Sequence, residues 1–62
     1  MNKEEILFQL QQNTSNDGTS QFNFSNDMSV RASELKLLNE LVEDGSIEKL
    51  SSALGYSIYR IL

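Results

Sequence analysis

The sequence predicts a mainly all-α fold: a small helical domain. Three observations carry that expectation. Proline is absent from all 62 residues, so no helix interior loses an N–H to a pyrrolidine ring. Apolar residues recur at helical spacing in three stretches (Ile6, Leu7 and Leu10; Leu35, Leu38, Leu41 and Val42; Ile47, Leu50, Ala53 and Leu54). Gly45 and Gly55 follow two of those stretches, where a left-handed residue ends a helix.

The elements follow in chain order. Residues 2–12 read as a helix with Asn2 as N-cap and Glu5 three residues on, a variant of the capping box. Glu4 and Glu5 suit the positive end of the helix dipole. Phe8 lies off the apolar stripe and needs a second surface or solvent. The domain plan is an N-terminal helix within 1–13, a polar linker over 14–27 and a core over 28–62, all one domain. The linker is rich in amides and hydroxyls, which compete for backbone hydrogen bonds. Asn16-Asp17-Gly18 signals a turn, and Gln21–Ser25 suits an extended segment with Phe22 and Phe24 on one side. Residues 29–44 form the longest helix, started by Asp27 or Ser29, with Val30 and Leu37 at the margin of its stripe and Gly45 as its stop.

After Gly45 two readings compete. Helices at 46–54 and 57–62 fit the spacing of Ile47, Leu50, Ala53 and Leu54. The consecutive polar pairs Glu48-Lys49 and Ser51-Ser52 spoil the alternation a half-buried strand needs. A hairpin of strands 46–50 and 56–61 is the alternative, because Tyr56, Ile58, Tyr59 and Ile61 are good strand residues. The helical reading is the favoured one.

Composition excludes several classes of function. There is no cysteine and no histidine, which removes disulfides, thiolate zinc sites, cysteine nucleophiles and imidazole acid–base chemistry. Asn13, Ser15, Asp17 and Gly18 have the spacing that opens a calcium loop, but its twelfth position is Phe24 in place of a bidentate Glu. No nucleophile has a base beside it and no glycine-rich loop precedes a helix, so no enzyme, cofactor or metal is expected. No apolar run approaches a membrane span and no signal-peptide pattern opens the chain, so the expected location is cytoplasmic. Five Lys/Arg against nine Asp/Glu give a net charge of −4, a poor balance for non-specific phosphate binding.

The run Ile47-Glu48-Lys49-Leu50-Ser51-Ser52-Ala53-Leu54-Gly55-Tyr56-Ser57-Ile58-Tyr59-Arg60-Ile61-Leu62 resembles the core of a helix-turn-helix. Leu50 faces the partner helix, Ser51 is small enough for close approach, and Gly55 makes the sharp turn. Tyr56 fills the turn, Ser57 caps the second helix and Ile61 packs inward. With Glu34–Ser46 as first helix and entry turn, residues 28–62 resemble the bacterial helix-turn-helix regulators of the LuxR/GerE type or the sigma region-4-like output domains, with a shortened last helix. The resemblance implies a DNA-binding transcription regulator, or a fragment of one. Its groove-facing residues would be Ser57, Ile58, Tyr59 and Arg60, with Lys49 on the backbone. The alternative is a protein-interaction module of the same fold that binds another regulator or a second copy of itself through Phe8, Ile58 and Tyr59. The hairpin reading of 46–61 corresponds to a winged-helix-like α+β arrangement.

Overall fold

A computed structural model describes residues 1–62, in the order α1 (Lys3–Gln12), β1 (Thr19–Asn23), α2 (Met28–Glu43), β2 (Ile47–Ser52) and β3 (Tyr56–Ile61). Two helices cover one face of a three-stranded antiparallel sheet of order β1-β3-β2. The mainly all-α expectation is therefore overturned: the fold is α+β. The short helices expected at 46–54 and 57–62 are the two strands of a hairpin, and 19–23 of the expected linker is the third strand.

Both helices start and stop for reasons visible in the chain. The Glu5 N–H donates to the Asn2 side chain at 2.9 Å, capping α1. Asp27 caps α2 by accepting from the N–H groups of Ser29 and Val30. At the far end Gly45 takes φ +83°. The Gly45 N–H donates to the Val42 carbonyl and the Ser46 N–H to the Leu41 carbonyl. This is the paired bond pattern of a Schellman cap, which only a left-handed residue completes without strain. Gly55 is not left-handed; the turn expected of it between two helices does not exist.

The polar pairs that spoke against strands have a positional explanation. A half-buried strand needs alternation, but β2 is an edge strand whose only buried residue is Ile47. Exposed on both sides, it accepts Glu48-Lys49 and Ser51-Ser52 without cost to a core. Its register shifts between Lys49 and Ser51, leaving Leu50 as the extra residue of a β-bulge. The central strand β3 does alternate, with Ser57 and Tyr59 buried and Ile61 half-buried on the helix side. Tyr56, Ile58 and Arg60 occupy the opposite face.

The core contains Ile6 and Leu10 of α1, Leu38 and Leu41 of α2, Phe22 of β1, Ile47 of β2 and Tyr59 of β3. The α2 stripe keeps Leu38, Leu41 and Val42 against the core as expected, but in its first turns Glu34 is buried, whereas Leu35 is 37% exposed. The Glu34 carboxylate accepts from the Ser25 N–H at 2.9 Å, which secures the segment between β1 and α2. Phe22 is fully buried and meets Phe24 edge-on, with ring centroids 5.5 Å apart. On the other flank, the Thr14 hydroxyl joins the Leu10 carbonyl at 2.9 Å to the buried Ser20 hydroxyl at 2.7 Å. Burial raises the Tyr59 phenol above the ordinary tyrosine pKa, and the nearby Ser57 hydroxyl offsets part of that rise.

Gly45→Ala should cost about 1–2 kcal/mol in chemical denaturation through backbone conformation alone, because a Cβ there meets no neighbour. Gly55→Ala should change stability by no more than about 0.5 kcal/mol, whereas a left-handed Gly55 would make the two variants equivalent. Phe22→Ala should cost about 3–5 kcal/mol, comparable to the entire stability of so small a domain, and abolish the cooperative thermal transition. Leu35→Ala should cost less than about 1 kcal/mol. For Tyr59, the folded state holds its proton to higher pH than the unfolded state. Its contribution is complete below the unfolded pKa and is lost as pH rises past it. Tyr59→Phe should flatten the alkaline fall of the melting temperature; an unchanged alkaline slope would show that Tyr59 does not cause it.

Candidate functional site

The residues expected at a DNA groove are divided between the two faces of the sheet. Ser57 and Tyr59 are buried beneath the helices at 2% and 1% exposure and belong to the core. Ile58 and Arg60 stand on the open face. Lys49 pairs in register with Tyr59, which puts it on the helix side at the sheet margin, where it is exposed. Of the alternative protein-binding trio, Phe8 is 59% exposed on α1, Ile58 is half-buried on the opposite side of the sheet and Tyr59 is inside. Neither set forms one surface, because β periodicity sends neighbouring residues to opposite faces where helical periodicity would have grouped them. The recognition helix itself is replaced by the central strand β3.

Most of the positive charge is already engaged. Lys3 lies 3.5 Å from Glu40 and 3.7 Å from Asp44. Arg60 lies 3.4 Å from Glu48, its cross-strand neighbour on the open face. Arg31 donates to the Leu54 carbonyl and stands 5.2 Å over the Phe24 ring. Arg31, Lys36 and Lys49 have no ion pair. The paired groups are exposed, and each pair contributes about 0–1 kcal/mol. Three carboxyls sit below the ordinary aspartate range. Asp17 is held down by the Thr19 side chain and N–H, Asp27 by the Ser29 side chain with the N–H groups of Val30 and Ser29, and Asp44 by Ser46 and then Lys3. All three are turn and cap anchors on the surface, so their shifts record local hydrogen bonding and identify no reactive group.

The sheet margins differ in a way no side chain announces. Along β1 the loop after α1 folds back onto the strand. The Ser15 N–H donates to the Thr19 carbonyl at 2.7 Å and the Gln21 N–H donates to the Asn13 carbonyl at 3.3 Å, beside an isolated bridge between Thr14 and Ser20. That edge is occupied. Along β2 no loop or helix backbone returns. The Leu62 N–H donates to the Ser46 carbonyl at 3.0 Å. The alternation of an antiparallel ladder then points the N–H and C=O of Glu48 toward β3 and those of Ile47 and Lys49 outward. Ile47 is buried and Lys49 exposed, so the groups of Lys49 are the ones open to another strand.

Sequence reasoning also missed an apolar end of the molecule. Met28 is 85% and Leu54 91% exposed. Both lie where the hairpin tip meets the start of α2, since Arg31, one turn on from Met28, holds the Leu54 carbonyl and the Phe24 N–H donates to Gly55. In the helical reading Leu54 was an interior residue, so its exposure had no signal. The concavities are two open depressions near the start of α1, lined by Met1–Glu4 with Leu37, and by Asn2, Glu4, Glu5, Phe8 and Gln9. No three carboxylates converge as metal ligands, and no helix is long and apolar enough to cross a membrane. No family model, curated protein or solved structure matches the chain.

Proposed function

We propose that this protein is a small protein-interaction module that takes up an extended segment of a partner along the open edge of β2. The observation that carries this reading is the asymmetry of the sheet: the β1 edge is met by the chain's own loop, while β2, past the buried Ile47, keeps exposed outward N–H and C=O groups at Lys49. Strand addition uses main-chain hydrogen bonds for affinity and alternate side chains for specificity. Both are in place here, and the recruiting surface needs no pocket. A duplex-binding role draws no comparable support, since the five cations are dispersed, Lys3 and Arg60 are ion-paired and Arg31 is held at the Leu54 carbonyl.

The test selects short extended peptides from a displayed library on the full chain and then maps them. Binders should slow amide exchange at the exposed Lys49. They should lose at least tenfold in affinity for Lys49→Pro, which removes one outward N–H at an edge position that tolerates proline. The thermal transition of Lys49→Pro serves as the control for folding. Binders that protect other amides and ignore Lys49→Pro would sink the edge reading.

A further inference from the structure

The charges on β2 decide what kind of strand fits its edge. Glu48 faces the open side of the sheet, as its register with Arg60 shows, and Lys49 faces the helix side with Tyr59. Adjacent residues of opposite charge thus present one charge on each face. Opposed side chains on paired strands share a face, so an incoming strand meets Glu48 with one residue and Lys49 with the next.

A second copy of the chain is a poor occupant. Two β2 edges pair antiparallel about a two-fold axis normal to the sheet, which keeps like faces together. Registers that align the outward groups place Glu48 against Glu48, Lys49 against Lys49 or Ile47 against Ile47; the first two oppose like charges, which is destabilising, and the third needs the buried Ile47 backbone. The bulge at Leu50 limits the regular ladder beyond Lys49 and twists the edge further from self-pairing.

Resting on the function proposed above, we infer that the occupant is an antiparallel segment of a different protein in which an acidic residue is followed directly by a basic one. In that order the acid meets Lys49 and the base meets Glu48. Antiparallel pairing is the geometry of every strand pair already in the sheet. The Glu48 carboxylate keeps Arg60 on its inner flank at 3.4 Å and receives the incoming cation from the outer one. The segment is short, so binding is weak and selective through order more than composition.

Two synthetic peptides of one composition test this, each carrying its triplet in a Thr- and Val-rich extended frame: Glu-Lys-Ile in the first, Lys-Glu-Ile in the second. Affinity is read by titration and location by amide exchange on the full chain. The Glu-Lys-Ile peptide should bind about tenfold tighter and protect the Lys49 amide. In Lys49→Glu the preference should fall to near parity, because each peptide then gains at one position what it loses at the other. Equal binding of both peptides at β2, or preference for Lys-Glu-Ile, would overturn the inferred order while leaving the edge as the docking site. Failure of both peptides to protect any β2 amide would overturn the edge itself. Sedimentation of the protein alone should show a monomer; a dimer abolished by Lys49→Pro would overturn the argument against a second copy.

Discussion

The pairing of β1 with β3 is the interaction on which the remaining structure depends. β3 is the last strand in the chain and the central one in the sheet, flanked by β2 from the same hairpin and by β1 from before α2. Bringing β1 across sets Ser20 beside Tyr59 and Phe22 beside Ser57 on the face that meets the helices. A hairpin of β2 and β3 alone would be marginal in water. The third strand contributes Phe22, which enters the core at 0% exposure. The loop before β1 and the Glu34 bond after it then hold the strand in place from both ends.

That arrangement also explains the division of labour between the sheet edges. Closing β1 with residues 13–15 uses up one margin, and the order β1-β3-β2 leaves the other on β2. β2 carries features associated with controlled edges: opposite charges on neighbouring positions, a bulge, and a single buried residue at its start. The features that discourage promiscuous pairing also impose an order on the charges a partner strand must bring. An edge can therefore resist self-association and remain selective, because rejection and recognition draw on the same two side chains.

Much of the helical structure was legible in the chain. Asn2, Asp27 and Gly45 mark ends of α1 and α2 through local hydrogen bonds that need no tertiary context. Ile6, Leu10, Leu38 and Leu41 declare themselves by spacing. The errors cluster where burial differs from hydrophobicity. Ser20, Ser57 and Glu34 are inside although polar, and Leu35, Leu50 and Leu54 are exposed although apolar. A period judged by residue type misplaces each of them. The Ile47, Leu50, Ala53, Leu54 spacing looked helical for that reason, and the resemblance to a helix-turn-helix rested on the same residues. Of the candidate site residues, Lys49 keeps a place in the proposed interface, while Ser57 and Tyr59 belong to the core.

By itself, the sequence determined the caps, the two long helices, the turn at Asp17-Gly18 and the absence of thiol and imidazole chemistry, all of which depend on residue identity or on neighbours within one turn. Only the tertiary structure decided that residues 47–61 are strands, that part of the polar linker is a third strand and that β2 is left open. Those outcomes depend on pairing between segments far apart in the chain, such as Thr19 with Arg60. Strand stability lies in cross-strand contacts and burial more than in intrinsic backbone preference, so the partner had to be present before the local pattern could be read.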